Sequence, residues 1–266
     1  MRFSPLIFAP LLVLGVSAVR AANLPDTGQT VCDPGNNAMV ACSNANTGDA
    51  APYPRQDARF GRDAQAVKNA LPKIGAGAAG FDYTKVANNG ADVGAGTALG
   101  SGPTDWACTR DNITGLTWEV KTASSSSLRY SGFTYTWYSN NGATNGGNAG
   151  ASGTNTCSLT LPAGQCNTAA FVAAVNGAPG LCGSTDWRLP SRRELLTIAH
   201  YGISTPLSVA IDPSYFPNTQ GTLFVSSSTY APDPAQAGSV LFSDGSVSAA
   251  PKSISYSVRL VRGGQF

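Results

Sequence analysis

The sequence predicts an α+β domain in which two short helices accompany a twisted, mostly antiparallel sheet that is rich in loops and held by disulfide bridges. Three observations predict it. Several segments alternate between apolar and polar residues, as strands with one buried face do, and turn residues separate them. Two stretches have helical spacing, and one of them starts with a capping motif. Six cysteines follow an export signal, and cysteines in exported chains usually pair.

Residues 1–21 have the features of a secretory signal peptide. Arg2 supplies the positive charge, and residues 6–16 form an apolar run. That run is shorter than the roughly 20 residues that a spanning helix needs. Residues 19–21 fit the small-x-small cleavage rule, and residues 16–18 are a competing site. We therefore expect an exported protein without a transmembrane segment, in the periplasm, at the cell surface or secreted.

The chain behind this signal is neutral and poor in charge. The full sequence has 17 Lys and Arg against 15 Asp and Glu, and without Arg2 and Arg20 of the signal segment the count is 15 against 15. Only 12% of the residues are charged, about half of the usual share of roughly 25%. The lack of a basic excess argues against nucleic-acid binding. The single histidine, His200, excludes multi-histidine metal centres, so we expect no metal site and no cofactor.

The six cysteines are predicted to form structural disulfides. Their even number in an exported chain favours pairing, although sequence by itself admits several connectivities. Loop length favours Cys32–Cys42 and Cys157–Cys166, which leaves Cys108–Cys182 as the third pair. No two cysteines have C-x-x-C spacing, so a redox or zinc motif has no support.

Residues 22–104 are expected to be a loop-rich N-terminal region. Glycine and alanine dominate residues 75–80 and 90–102, and such residues bury little apolar area, so this region needs support from the rest of the chain. Residues 75–80 match the pattern G-x-G-x-x-G. No strand signal precedes them and no helix signal follows, so the nucleotide-binding context is missing.

Strand signals begin in the predicted domain, residues 105–266. Residues 113–119 and 133–138 are rich in β-branched and aromatic residues. In the second segment three aromatic residues share one face: Phe133, Tyr135 and Trp137. Residues 139–155 are too long and polar for a tight hairpin, and we expect an exposed loop there.

The two helices are predicted next. Residues 167–176 place apolar residues such as Phe171 on one side. Ser191 and Glu194 form a capping box that starts the second helix, which Gly202 is placed to end. His200 then falls in the last helical turn, where an imidazole interacts favourably with the helix terminus, and we prefer that role to catalysis.

Strands are predicted again at residues 223–230, 238–242 and 254–262, with turn residues such as Asp244-Gly245 between them. In the last segment four apolar residues alternate with mostly polar ones, which predicts a strand with one buried face: Ile254, Tyr256, Val258 and Leu260.

Four motifs occur in order along this domain. They are Asn-Ile-Thr-Gly-Leu-Thr-Trp-Glu at 112–119, Asp-Trp-Arg-Leu-Pro at 186–190 with Glu194-Leu195 after it, the pair Ser226-Ser227, and Tyr-x-Val-Arg-x-Val-Arg-Gly-Gly at 256–264. The domain thereby resembles the Lcl C-terminal domain family, named for the end domain of a bacterial collagen-like adhesin. The resemblance implies a C-type-lectin-like fold and an exported protein. It also implies adhesion and binding of sulfated glycosaminoglycans, the properties associated with the named member.

The chain departs from the family pattern at several points. Val225 stands where an aromatic residue usually precedes the Ser-Ser pair, which puts a stacking surface there in doubt. A collagen-like repeat is missing, and so are the calcium-lectin sugar motifs, so calcium-dependent sugar binding has no support. Folds related to the family serve sulfatase-modifying enzymes and hypervariable ligand-binding proteins, and fold by itself does not determine function.

Two sets of side chains are candidates for ligand binding. The first set is an arginine patch suited to sulfate or carboxylate groups, because the guanidinium donates two parallel hydrogen bonds: Arg188, Arg192, Arg193, Arg259 and Arg262. The alternative for Arg188 is a structural pair with Asp111 or Glu119. The second set offers hydroxyl, carboxylate and aromatic groups: Ser227, Tyr230, Asp244 and Tyr256.

These observations predict a non-enzymatic binding or adhesion domain whose ligand is a glycan, such as a sulfated polysaccharide, or an extracellular protein. A serine nucleophile would need His200 as its base, and no G-x-S-x-G motif surrounds any serine. The alternatives are a protein-interaction module of the variable ligand-binding type and a sulfatase-modifying-like enzyme, which would require a reactive cysteine pair. The sequence leaves the ligand and the oligomeric state open.

Overall fold

Three sheets with antiparallel neighbours organise the chain in a computed structural model that describes residues 24–36, 38–48, 51–75, 80–157, 159–203 and 209–264. The predicted signal segment, residues 1–21, lies outside the described residues. Short helices, antiparallel sheets and three disulfides confirm the predicted α+β class. The C-type-lectin-like fold stays a prediction. No helix in the described ranges is long and apolar enough to cross a bilayer.

The largest sheet has five strands in the order β10-β4-β3-β1-β2. Their bounds are β1 Tyr83–Ala87, β2 Asp92–Val93, β3 Trp106–Asp111, β4 Thr117–Glu119 and β10 Val261–Arg262. β3 lies at the centre and five of its six residues are buried, which suits its position between β4 and β1.

Two smaller sheets complete the architecture. A three-stranded sheet has the order β6-β7-β8, and a two-stranded sheet pairs β5 with β9. Their bounds are β5 Tyr135–Thr136, β6 Leu223–Thr229, β7 Gln236–Leu241, β8 Ser246–Pro251 and β9 Ser255–Tyr256. The strands predicted from residues 223–242 are confirmed within a few residues.

The two helices predicted in the domain are confirmed as α4 Thr168–Val175 and α5 Arg192–Leu196. The capping box of α5 is present: Glu194 N–H donates to Ser191 Oγ, and Ser191 N–H donates to the Glu194 carboxylate. The position predicted for His200 is wrong, because α5 ends at Leu196. The His200 N–H donates to Ala210 O instead of continuing the helical ladder.

The N-terminal region has more regular structure than its composition predicts. Three further short helices lie there: α1 Asn44–Thr47, α2 Asp57–Phe60 and α3 Arg62–Val67. The prediction of loops is wrong for β1 and β2, because β1 pairs along its length with β3. The five-stranded sheet thus takes strands from both sides of residue 105.

Two clusters of buried apolar side chains form the core. The first contains Phe133, Tyr135 and Trp137, so the face predicted for these aromatic residues is confirmed. The prediction of one buried face over residues 254–262 is wrong. Ile254 is exposed, whereas residues 257–261 are buried on both sides, because the chain passes between the two clusters.

All three predicted disulfide pairs are present: Cys32–Cys42, Cys108–Cys182 and Cys157–Cys166. The bridge Cys108–Cys182 joins β3 to the segment before the Asp-Trp-Arg-Leu-Pro motif, across 74 residues of sequence. This bridge ties the central sheet to the part of the chain that leads into α5.

Candidate functional site

A cavity of about 790 Å³ lies between α4, the start of α5 and the loop that follows β5. We call it the large cavity. The loop contributes Tyr138, Asn140 and Asn141, and α4 contributes Thr168 and Val172. The opposite wall belongs to the predicted motifs: Arg188, Leu189, Ser191, Ser227 and Ser228. Amides and hydroxyls thus surround a partly apolar floor.

Lys252 fixes the loop that forms one wall of the large cavity. Its Nζ donates to Asn145 O at 2.8 Å and to Asn148 O at 2.9 Å. The same ammonium lies 3.8 Å from the Trp137 ring centroid, close enough for a cation–π interaction. Trp137 in turn donates from Nε1 to Ser226 O at 3.0 Å. The wall is therefore held in place by buried contacts, although its surface residues face solvent.

Arg188 lines the large cavity and is not a free cation, because Glu194 pairs with it. Its guanidinium makes two hydrogen bonds to the Glu194 carboxylate, at 2.6 and 2.9 Å. Burial by itself would raise the pKa of Glu194, but the hydrogen bonds from Arg188 and Ser191 outweigh it and lower that pKa. The structural role weighed for Arg188 is thus correct, with Glu194 as its partner in place of Asp111 or Glu119.

A second depression of about 360 Å³, here called the small cavity, adjoins the large cavity. The two share Ser191 and Ser228 in their walls. Three of the predicted ligand-binding candidates line the small cavity: Arg192, Arg193 and Tyr230. Within the described part of the chain, neither arginine forms a salt bridge, and both are exposed.

Gly238 on β7 explains how Arg192 fits into this wall. A Cβ atom built at Gly238 would lie 3.1 Å from Arg192 Cδ, which is tighter than ordinary van der Waals contact. The backbone N–H of Arg192 donates to Ser228 Oγ at 3.1 Å, so β6 also positions this residue. Arg192 therefore lies across β7 with its backbone fixed and its guanidinium free of an acidic partner in the described structure.

Four predicted candidates lie elsewhere. The prediction of a surface role is wrong for Arg259, which is fully buried and donates to Glu119 O at 2.7 Å and to Thr219 Oγ1 at 2.6 Å. Arg262 donates to Asp186 at 2.6 Å. Asp244 accepts from Ser246 N–H in the turn between β7 and β8, and Tyr256 pairs with Tyr135. None of the four lines the large or the small cavity.

Val225, at the position where the family pattern has an aromatic residue, is buried in the first cluster and belongs to the core. Sequence reasoning missed the contribution of the loop after β5. Its richness in asparagine was visible at Asn140 and Asn141, but nothing local showed that it faces α4 and Ser227.

Three further features concern the cysteines, possible metal ligands and the single histidine. No cysteine thiol is free, since all six cysteines are paired. Over the ranges that the structure describes, no group of three or more His, Cys, Asp or Glu side chains is placed to hold a metal ion. His200 stacks on Phe81 with ring centroids 4.8 Å apart and lines neither cavity.

Comparison with known proteins agrees with the motifs. We found no match to this chain among curated proteins or among solved structures. The family model described as the Lcl C-terminal domain matches residues 107–262, which is more than half of the chain and includes α4, α5 and every described wall residue of both cavities. The predicted family is confirmed, and the chain belongs to the Lcl C-terminal domain family.

Proposed function

We propose that this chain is an exported, non-enzymatic adhesion domain that binds an acidic glycan across the large and small cavities. The proposal rests on the junction at Ser191 and Ser228, where a partly apolar cavity with amide and hydroxyl groups continues into one lined by two arginines without acidic partners in the described structure. Membership of the Lcl C-terminal domain family supports an adhesion-related role.

The chemistry of each cavity suits a different part of such a ligand. Amides and hydroxyls, such as those of Asn140, Asn141 and Ser227, both donate and accept hydrogen bonds, as sugar hydroxyls require. The guanidinium groups of Arg192 and Arg193 suit sulfate or carboxylate oxygens, because each offers parallel donors. A glycan with acid groups at intervals satisfies both cavities together.

The proposal of export rests on two features. The signal-like segment at residues 1–21 precedes the domain, and three disulfides require an oxidising compartment to form and persist. N-terminal sequencing of the protein from periplasmic, surface and medium fractions tests it. We expect a start at residue 19 or 22, and an intact Met1 in the cytoplasmic fraction as the dominant form would contradict export.

Binding to a panel of polymers tests the proposed ligand class. The panel contains heparin-type chains, their desulfated forms, uronate polymers and neutral polysaccharides, each at low and physiological salt. We expect binding to the acidic polymers that weakens with salt, since exposed charges are screened. Equal binding to neutral polymers would contradict the role of the arginines.

A protein-interaction module is the second candidate. The large cavity, with the ring of Tyr138 beside amide side chains, also suits a protein loop. Absence of binding to every polymer, together with tight binding to a protein on a host or bacterial surface, would favour this function over glycan binding.

A further inference from the structure

The outer edge of β8 is open in the described structure. β8 ends the three-stranded sheet, and its single strand neighbour is β7. Five of its six residues are at least partly exposed. Such an edge presents unpaired backbone N–H and C=O groups, which proteins usually protect with charges, bulges or covering segments.

Three other sheet edges among the described strands have this protection. β2 has two residues, and its Asp92 forms a salt bridge with Arg110 at 2.7 Å. The outer side of β10 is paired with the backbone of Arg188. The outer side of β6 bonds to Ser257 and Pro190. β8 differs because residues 246–251 carry no charge and the β7–β8 register has no bulge.

The ladder between β7 and β8 shows which groups point outward. Lys252 N–H donates to Ala235 O at 2.9 Å, and these residues continue the register in which Gln236 opposes Pro251. Antiparallel pairs alternate between bonded and non-bonded. Val247 and Ala249 therefore direct their N–H and C=O groups away from β7. Val247 also exposes 45% of its surface, so this strand presents an apolar side chain to solvent.

We propose that a second copy of this chain pairs with this edge, β8 against β8, antiparallel about a two-fold axis at Ser248. In that register Val247 of each copy opposes Ala249 of the other. Each such pair exchanges two hydrogen bonds, so the two symmetric pairs satisfy every outward N–H and C=O of Val247 and Ala249. The uncharged strand meets its own copy without like-charge repulsion.

The pairing has defined limits. Pro251 has no N–H group, and the N–H of Gly245 already donates to Leu241 O, so neither end extends the pairing. We therefore expect a weak dimer whose share of the protein rises with the total protein concentration. Gly238 on β7, which lines the small cavity, opposes Ala249 on β8. Because the axis is perpendicular to the sheet, the small cavities of both copies open on the same side, which suits a polymeric ligand.

A cysteine scan tests the register. In Ser248→Cys the two introduced thiols oppose each other across the axis, with Cβ atoms about 4.5–5.5 Å apart. In the control Ser246→Cys the two thiols are separated by four residues of strand, on the order of 13 Å. We expect mild oxidation to give a covalent dimer with Ser248→Cys and monomer with Ser246→Cys. Equal cross-linking of both would overturn this register.

Sedimentation of the mature chain over a wide concentration range gives the second test. We expect reversible dimers for the unmodified chain and monomers for Ser248→Lys, in which two ammonium groups meet at the axis. Ser243→Lys adds the same charge in the turn before β8 and should dimerise as before. A monomer at every concentration, without cross-linking of Ser248→Cys, would overturn the proposal. Retained polymer binding by the Ser248→Lys monomer would separate this outcome from the proposed function.

Discussion

The buried carboxylate of Glu119 should be among the most sensitive positions of the fold. It lies 2.8 Å from Lys121 Nζ, and the two side chains are 0% and 4% exposed. Its other oxygen accepts from Leu260 N–H at 2.9 Å. Arg129 and Arg259 are also buried near this carboxylate, so three buried cations surround it. One carboxylate therefore faces three positive groups.

Glu119→Gln keeps the shape of the side chain and an acceptor for Leu260 but removes the negative charge. Breaking a buried pair leaves an uncompensated buried charge, which costs about 3–5 kcal/mol in the free energy of unfolding. Backbone carbonyls of Ala107 and Val120 solvate Arg129, and Glu119 O and Thr219 solvate Arg259, so the loss falls mainly on Lys121. At about 2–4 °C per kcal/mol, the melting temperature should fall by roughly 6–20 °C.

The assay is thermal unfolding of the mature, oxidised chain followed by circular dichroism. Asp92→Asn is the matched control, because its ion pair with Arg110 has the similar distance of 2.7 Å but is 55% and 36% exposed. An exposed pair contributes about 0–1 kcal/mol. If Glu119→Gln shifted the melting temperature no more than Asp92→Asn does, burial would not make the Glu119 charge more important for stability than the exposed charge of Asp92.

Three further predictions follow from local contacts. Burial lowers the pKa of His200 below its ordinary value of 6.5, so the fold favours the neutral imidazole. The contribution of His200 to the free energy of unfolding should be full above about pH 6.5 and should fall as the pH decreases. His200→Gln should flatten this profile in thermal melts from about pH 5 to 7. Gly28→Ala should destabilise the fold more than Gly115→Ala in urea titrations. Both glycines have positive φ, but a Cβ atom at Gly28 would lie 2.4 Å from His200 Nδ1, whereas a Cβ atom at Gly115 would have no neighbouring atom within 4 Å. Equal losses of stability would show that the contact with His200 is unimportant. Replacing both cysteines of Cys108–Cys182 by alanine should lower the free energy of unfolding by about 2 kcal/mol more than the same change at Cys157–Cys166, because the longer loop loses more entropy on closure. The sequence separations are 74 and 9. The reverse order of denaturation midpoints would contradict this prediction.

Features with local causes could be predicted from the sequence. The capping box of Ser191 and Glu194 needs four consecutive residues, and the short disulfide loops Cys32–Cys42 and Cys157–Cys166 are nearly as local. The aromatic face of residues 133–137 follows from the period of two along a strand. These signals fixed α5 and the motifs that form one wall of the cavities.

Features that depend on distant partners could not be predicted. β1 has only five residues, and its strand is completed by β2 and β3, which pair with it on both sides. Arg259 resembles a surface arginine in sequence, yet its guanidinium lies 5.2 Å from the Phe216 ring centroid and 5.8 Å from that of Phe224. These rings come from separate parts of the chain and are brought together by the fold.

The same reason explains the incomplete prediction of the site. Arg192 and Arg193 were predicted in the arginine patch and Tyr230 in the second set, yet the three line one cavity. Arg262 was grouped with the two arginines although Asp186 pairs with it. The pairing of each arginine depends on three-dimensional neighbours. The residue types suited to an anionic ligand are visible in the sequence, whereas only the structure shows that Arg192 and Arg193 lack the acidic partners that Arg188 and Arg262 have.

Titration calorimetry of arginine variants with an acidic polymer tests whether the small cavity binds the ligand. Charge-assisted hydrogen bonds contribute about 1.5–3 kcal/mol each, and 1.4 kcal/mol is about tenfold in affinity. Arg192→Ala with Arg193→Ala should therefore weaken binding of a heparin-type polymer by at least about tenfold, while Arg262→Ala, which removes a paired arginine outside both cavities, should leave it nearly unchanged. Equal affinity of the double variant and the unmodified chain, or an equal loss in Arg262→Ala, would contradict ligand binding at the small cavity.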